Sequence, residues 1–369
     1  MSDPIRVLCV FSTLDRGGAE SMCMNLYRHI DRNRIQFDFV KHTPEKCAFD
    51  DEIDSLGGRI YIAPRFRGYN LIQYQSWWKK HLEQHPEHQI IHGHYFTVSK
   101  FYFPVCKKMD RITIGHSHTD SYSWKRIDKR MMIYGVEDYC DYRLACSEKA
   151  GKLLYPNKDF IILKNAIEIK KYAYNPEIAK EVREEFGLGD DLILGAVGTI
   201  KEVKNPLGMV DILNAVVQQK PNTKLLWVGN DGGMKQQVIE KIENNNLSDR
   251  VVFSGVRSDV HRLLQAMDVF LMPSFSEGIP VSMIEAQAAG LPCFVSDEVS
   301  READITNNCC YLPLGDYKKW AHAIMKANLS HLDNYQRIVS AGYDISTTAN
   351  WMTDFYKKIM REYSGKWLR

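Results

Sequence analysis

Short apolar runs alternate with amphipathic stretches through the first 165 residues, and the alternation then starts again. Strand-like runs fall at Val7–Phe11, Phe37–Val40, Arg59–Ile62, Gln89–His92, Ile112–His116, Arg143–Cys146 and Phe160–Leu163. Helical periodicity fits between most of them, around Ala19–His29, Leu71–His85 and Trp124–Asp138. The second series opens on Asn175-Pro176-Glu177, which reads as N-cap, first helical residue and first-turn acid, with Gly187 as the stop. Runs at Leu192–Val197, Lys224–Val228, Val251–Ser254, Val269–Met272 and Cys293–Ser296 follow, again with helices between. Beyond Pro313 only helix-like segments remain, ending with Trp351-Met352-Thr353-Asp354-Phe355-Tyr356. Strand–helix alternation predicts parallel α/β sheets. The restart predicts two Rossmann-like domains, residues 1–165 and 166–345, joined near Lys164-Asn165-Ala166-Ile167, with a helical segment at 346–369 returning to the first. Two facing domains of this kind leave a cleft at the C-terminal ends of their strands, where open parallel sheets bind ligands.

The length of 369 residues exceeds the usual single core and agrees with two domains. A composition 44% hydrophobic and 25% charged is that of an ordinary globular protein. Nine scattered cysteines without metal-type spacing, and no signal-peptide pattern, lead to the expectation of a reducing cytoplasm. No apolar run approaches the roughly 20 residues that span a bilayer. A net charge of +2 gives no support to nucleic-acid binding. Residues 1–165 hold 25 Lys/Arg against 20 Asp/Glu, a mild excess that suits an anionic membrane surface or acceptor. Two basic and apolar stretches, Arg65-Phe66-Arg67-Gly68-Tyr69 and Trp124-Lys125-Arg126 to Lys129-Arg130-Met131-Met132, are candidates for that contact.

The most informative chemistry lies in Ser274-Phe275-Ser276-Glu277-Gly278-Ile279-Pro280-Val281-Ser282-Met283-Ile284-Glu285-Ala286. Pro280 suits a first helical turn and Gly290-Leu291-Pro292 a stop. Glu277 then sits on a loop at a strand's C-terminal end, and Glu285 lies about 12 Å further along the helix. The N–H groups of Gly278 and Ile279 between them make an anion site. A ligand carrying both phosphate and sugar hydroxyls explains two carboxylates beside an anion site; phosphate alone does not. Two glycine loops follow strands in the same manner, Gly17-Gly18-Ala19-Glu20 and Gly229-Asn230-Asp231-Gly232-Gly233, and neither is the dinucleotide fingerprint.

Nine of the twelve histidines fall in residues 1–165. His81 and His85, beside Gln84, Pro86 and Glu87, read as a solvated helix end. His92-Gly93-His94 stands at a strand terminus, no cysteine cluster completes a metal site, and none is expected. His116 and His118 end the strand beginning at Ile112 and are placed to face the cleft.

At this level of detail the chain resembles the family-4 retaining glycosyltransferases. The resemblance is carried by Gly255-Val256-Arg257-Ser258-Asp259-Val260, Ala266-Met267-Asp268-Val269, the E-x7-E segment and Ala289-Gly290-Leu291-Pro292. Gly17-Gly18-Ala19-Glu20 and Val197-Gly198 with Lys204-Asn205 stand in the expected order, and the tail from Val295 to Ile305 is similar to capsule and exopolysaccharide members. The resemblance implies the GT-B fold, a nucleotide-sugar donor with UDP the favoured base, and a saccharide or lipid-linked saccharide acceptor. It implies that Glu285 binds the donor ribose, Glu277 the transferred sugar and Lys204 the diphosphate. It further implies donor contacts from Gly17, Gly18, Gly198, Gly229, Arg257, Val260, Gly278, Ile279 and Pro280, and a sugar contact from His118 or His116. The family's usual arginine is replaced by Thr199, with Lys201 two residues on as a substitute point charge. The sequence contains no Asp-x-Asp, which fits metal-independent stabilisation of the leaving group. The rival readings are a nucleotide-sugar epimerase of the same fold and a non-catalytic nucleotide-sugar-binding subunit.

Overall fold

A computed structural model describes residues 3–94, 96–118 and 134–366 of the chain. The chain divides into two compact units: unit 1 takes residues up to Ile167 and again from Gly342, and unit 2 is Glu168–Ala341. The boundaries expected at 165/166 and 345/346 therefore stand at 167/168 and 341/342. The second shift has a local cause: Ile167 bridges Asp344, with Ile167 N–H donating to Tyr343 O (2.9 Å) and Ile345 N–H to Ile167 O (3.1 Å), which ties residues 343–345 to unit 1.

Unit 1 is built on seven parallel strands: β1 (Ile5–Val10), β2 (Ile35–Lys41), β3 (Ile60–Ile62), β4 (Ile90–Gly93), β5 (Ile112–Ser117), β6 (Tyr142–Ala145) and β7 (Ile161–Ile162). Their order is β3-β2-β1-β4-β5-β6-β7. Successive residues feed opposite faces. Val7 and Cys9 join Phe37, Phe39, Ile114 and the Met352 and Tyr356 side chains of the helix Ile345–Lys366. Leu8 and Val10 join Ile91, Trp78 and Tyr102 on the other face. Both faces are covered, which is why these strands read as continuous apolar runs.

Unit 2 repeats the plan with six parallel strands: β8 (Leu192–Val197), β9 (Thr223–Val228), β10 (Val251–Gly255), β11 (Val269–Met272), β12 (Cys293–Ser296) and β13 (Cys309–Leu312), ordered β10-β9-β8-β11-β12-β13. The strand order reverses between β1 and β4 in one sheet and between β8 and β11 in the other. These are the positions where such sheets open a crevice beyond the strand ends.

Local signals explain the element ends. The Asn175 side chain accepts from the N–H groups of Glu177 (2.9 Å) and Ile178 (3.4 Å), with Pro176 the first helical residue. Gly290 (φ +79°) ends the helix Val281–Ala288 where the Leu332 backbone passes so close that a Cβ would meet Leu332 O at 2.3 Å. Pro280, expected in the first turn of that helix, is its N-cap, immediately before Val281. The helix Phe96–Lys108, which contains Pro104, and the edge strand β13 have no counterpart in the sequence pattern. The helix expected at Trp124–Asp138 lies outside the described residues as far as 133, and Val136–Tyr139 forms a 3-10 turn.

Candidate functional site

In unit 2 the loops after β8, β9 and β11 converge at the switch point. Gly198 (φ +146°) and Gly229 (φ +152°) lie against each other: a Cβ on Gly229 would meet Gly198 O at 2.2 Å, so only glycine permits this approach. Trp227 Nε1 donates to Gly198 O (3.1 Å), and Thr199 Oγ1 donates to Asn230 Oδ1 (2.7 Å). Thr199 thus fastens one loop to the other and supplies no charge. Lys201 next to it is exposed.

Lys204 sits on the 3-10 turn Glu202–Lys204, and Asn205 (φ +50°) follows as a buried cap, its Oδ1 accepting from Gly208 N–H (3.1 Å). The Phe275 N–H donates to Val203 O (2.8 Å), which draws the loop after β11 against this turn. As a result the Lys204 ammonium lies 2.7 Å from Glu277 Oε1, both side chains being more than four-fifths buried. Glu277 is also held through its backbone, bridging Val299 and accepting from Ser300 N–H (3.2 Å). Gly278, Ile279 and Pro280 run from it into the helix Val281–Ala288. A crevice of about 20 Å³ opens here, lined by Val197, Gly198, Lys204, Met272 and Ser274 among others.

Glu285 stands midway along that helix. The Tyr172 hydroxyl, from the 3-10 turn Ile169–Tyr172, donates to its Oε1 at 2.6 Å. Burial pushes the Glu285 carboxyl above the usual carboxylate range, and the Tyr172 bond pulls it part of the way back. Its Oε2 has no hydrogen-bond partner among the described residues and remains available. The helix itself is clamped by Gln287, whose amide donates to Ala303 O (2.7 Å) and whose Oε1 accepts from Ile305 and Thr306 N–H (2.9 and 3.1 Å). Tyr172 is a site residue that sequence reasoning missed: it lies 113 positions from Glu285 and carries no motif.

Arg257 is engaged elsewhere. Its guanidinium holds both oxygens of Asp259 at 2.8 Å and Glu185 Oε1 at 2.8 Å, so its charge is already balanced within unit 2. Val260 opens a single turn, Val260–Leu263, beside it. A cavity of about 790 Å³ elsewhere in unit 2 is lined by Arg183, Gly187, Asp190 and Asp268 among others. These residues precede β8 and β11, so it opens at the N-terminal ends of the strands, away from the crevice.

In unit 1, Gly17 is the N-cap of the helix Gly18–His29, and the Glu20 side chain folds back over it, so closely that a Cβ on Gly17 would meet Glu20 Oε2 at 2.2 Å. Beyond the C-terminal ends of β1, β2 and β3 lies a cavity of about 900 Å³, lined by Ser12, His42, Thr43, Arg65, Arg67 and Trp77 among others. His116 is fully buried in β5, and His118 follows the strand, half-buried. Their rings pack at 4.1 Å between centroids, and His94 Nδ1 lies 2.8 Å from His118 Nε2. Burial holds His118 at about 3 and His116 well below the ordinary histidine value, where the neighbouring His118 and His92 also act. Of His81 and His85, expected on a solvated helix end, His85 is part-exposed but His81 is buried: His81 Nε2 lies 3.2 Å from His88 Nδ1, and the buried His88 places Nε2 2.8 Å from Asp38 Oδ2. Tyr61 and Trp77 cover the pair, an aromatic shelter that the polar local sequence does not announce.

The family profile described as glycosyl transferases group 1 matches residues 179–339, within unit 2. EpsF of Bacillus subtilis (strain 168), which bears the name of a glycosyltransferase, is 32% identical over 316 residues, 81% of each chain. An Escherichia coli UDP-Gal:alpha-D-GlcNAc-diphosphoundecaprenol alpha-1,3-galactosyltransferase is 25% identical over 253 residues, 63% of this chain and 64% of the relative. The structure of Anabaena Alr3699/HepE in complex with UDP-glucose superposes with a TM-score of 0.80 at 16% identity, covering 96% of this chain and 99% of that one. The two parallel α/β units are those of the GT-B fold. The chain belongs to the group 1 glycosyltransferases and is a glycosyltransferase enzyme of the hexosyl-transferring class.

Proposed function

We propose that this enzyme transfers a sugar, with retention of anomeric configuration, from a UDP-linked donor to a lipid-linked saccharide in surface polysaccharide synthesis. The observation that carries the reading is the Lys204–Glu277 pair at the switch point of unit 2, beside the glycine-backed crevice. Departure of a nucleoside diphosphate develops negative charge on phosphate and positive charge on the sugar ring. A buried ammonium beside backbone N–H groups stabilises the first, and the carboxylate adjoining it stabilises the second. Glu285, with Oε2 free, suits a ribose diol. This division of labour needs no metal ion at the diphosphate. On unit 1, His118 keeps the role toward the sugar that the resemblance gives it, with His116 packed against it, and the cavity containing Trp77 and Arg65 suits a saccharide acceptor. The UDP base and lipid-linked acceptor draw support from the Escherichia coli relative's substrates and the UDP-glucose held by the Anabaena protein.

No helix among the described residues is long and apolar enough to cross a membrane. Ile62, Tyr69 and Ile72 are 50%, 82% and 85% exposed in unit 1 and stand near exposed Arg65 and Arg67. Phe66 is not part of that surface, because it stacks on Phe101 at 4.2 Å. We assign this patch to peripheral contact with anionic lipid, at the membrane face where a lipid-linked acceptor is presented. The companion stretch 124–132 lies outside the described residues.

Incubation with radiolabelled nucleotide sugars, in the presence and absence of EDTA, tests the proposal. Transfer or slow donor hydrolysis with UDP-sugars, not lost in EDTA, is expected. Inversion of a sugar centre without transfer, or binding with no turnover of any donor, would overturn it.

A further inference from the structure

Four histidines of unit 1 meet on one face of its sheet. His92 and His94 are spaced i, i+2 on β4 and just beyond it, and His116 and His118 likewise on β5. Because β4 and β5 pair in parallel with His92 opposite Ile114 and Gly93 opposite Gly115, the two His-x-His pairs lie side by side. Ring centroids are 4.2 Å apart for His92–His94, 5.3 Å for His94–His116 and 4.1 Å for His116–His118. Phe11 stacks on His94 at 4.5 Å and closes one side.

This cluster is short of hydrogen bonds. His92 Nε2, His94 Nε2, both nitrogens of His116 and His118 Nδ1 are buried without a partner among the described residues. Leaving such groups unsatisfied is costly, because a buried polar atom loses its water without gaining a partner. Five of them together in one place is what a binding site for a cation looks like before the cation is added. The ligating atoms of His94, His116 and His118 all lie within 4.8 Å of one another.

We propose that His94, His116 and His118 form a three-imidazole site for a borderline divalent transition metal of the Zn²⁺, Co²⁺ or Ni²⁺ class, with a fourth position left to water or an anionic oxygen. Imidazole nitrogen suits these ions, whereas Mg²⁺ and Ca²⁺ require oxygen donors that the cluster does not offer. Metal–nitrogen bonds of about 2.0–2.1 Å place tetrahedral ligands about 3.4 Å apart, so the nitrogens close by at most about 1.4 Å. The His94–His118 hydrogen bond is exchanged for ligation in the process. A second grouping, Cys9 with His92 and His94, adjoins this one. It is the weaker site, because burial pushes the Cys9 thiol well up and His92 Nδ1 is occupied at 2.7 Å by the Tyr356 hydroxyl. The site lies within unit 1, and its existence does not depend on which donor is used. An ion held there occupies His118, so metal and sugar compete for that ring.

The test uses the full chain without a histidine tag, stripped with EDTA and titrated with Co²⁺ and then Zn²⁺. One Co²⁺ per chain with the visible ligand-field bands of a four-coordinate nitrogen site, displaced by Zn²⁺, is expected, together with a rise in melting temperature. His116→Gln and the half-buried His118→Gln should each weaken Zn²⁺ binding by at least about 10-fold, the lower end of what losing even a supporting partner costs. Exposed His322→Gln should leave it unchanged. Circular dichroism identifies any variant that has not folded, and His118→Gln, at the edge of the core, serves where His116→Gln fails. Absence of saturable Co²⁺ binding, or undiminished binding in a folded His118→Gln protein, would overturn the proposal. So would binding that is lost only in Cys9→Ala, which would assign the donors to the neighbouring group.

Discussion

The ammonium of Lys204 and the carboxylate of Glu277 lie 2.7 Å apart, although 73 positions separate them in the chain, because the Phe275 N–H bonds Val203 O and draws the two loops together. Each group holds the other in place before any ligand arrives. Lys204→Ala should therefore cost about 2–4 kcal/mol of transition-state stabilisation, as loss of one preorganised electrostatic donor does. Glu277→Gln should lower kcat more than it raises KM. In the double variant the two losses should not add, since each single change already breaks the pair. Equal, small and additive effects on kcat/KM would remove the pair from the reaction. Exposed Lys201→Ala should matter less than Lys204→Ala.

Glu285 is expected to trade stability for binding. Its folded carboxyl titrates above the unfolded value, chiefly through burial, so its contribution to stability is complete below the unfolded pKa of about 4.5 and is lost as pH rises through the folded one. At pH 7 the ionised form is a burden that Gln does not carry, and a Gln carbonyl still accepts from Tyr172. Glu285→Gln should melt higher than the parent at pH 7, while its thermal shift with UDP becomes smaller. A lower melting temperature with unchanged UDP response would contradict this.

Asp38 behaves in the opposite sense. Burial alone would raise its carboxyl, but bonds from Arg6 (Nε, 2.6 Å), His88 (2.8 Å) and the Arg59 N–H (2.8 Å) outweigh it and hold the group at about 2. Its stabilisation is present above the unfolded value of 3.8 and disappears as pH falls toward 2. Asp38→Asn leaves the Arg6 charge without its partner and should cost about 3–5 kcal/mol in urea unfolding. A cost below about 1 kcal/mol would mean that the network is replaceable by water.

The buried histidines set a second, higher pH window in unit 1. Burial lowers His92 and His118 to about 3, His81 to about 3 and His42 to about 4, against an ordinary 6.5. A depressed folded value stabilises above the unfolded pKa and loses that stability as pH falls from 6.5 toward 3. Calorimetry should show melting temperature declining already between pH 7 and pH 5, before most carboxylates titrate, and the decline should be shallower in His118→Gln. A flat profile down to pH 5 would contradict the burial of these rings.

Recovery with anionic vesicles at low salt, and its loss at high salt, is expected from the patch containing Arg65, Arg67, Tyr69 and Ile72. Tyr69→Ser with Ile72→Ser should reduce recovery. Equal sedimentation with neutral and anionic vesicles, insensitive to salt, would remove the membrane role.

Much of the fold is legible in the chain because buried parallel strands are continuous apolar runs between turn residues. Leu192–Val197, Val269–Met272 and Cys293–Ser296 coincide with β8, β11 and β12 residue for residue. The helix Phe96–Lys108 is hidden by Pro104, which reads as a breaker. Strand β13 is hidden because Cys309-Cys310-Tyr311-Leu312 has no β-branched residue and lies partly exposed at a sheet edge. At the candidate site, the positions of Glu277 and Glu285 follow from spacing along one segment. What each touches does not: Tyr172 reaches Glu285, and Arg257 turns to Glu185, only through tertiary packing. The two His-x-His pairs are visible as pairs, but their meeting requires the strand order that places β4 beside β5.

Unit 2 is spliced into unit 1, and this order has a consequence for biosynthesis. Tyr356 fills the core beside Phe37 and bonds His92, yet it leaves the ribosome only after all of Glu168–Ala341. The unit encoded first is thus the one completed later, and until then its sheet shows a bare apolar face where the helix Ile345–Lys366 will dock. Vectorial synthesis ordinarily lets the leading domain finish ahead of the next. Here the nascent leading domain must wait with an open flank, which makes it the natural client for a chaperone.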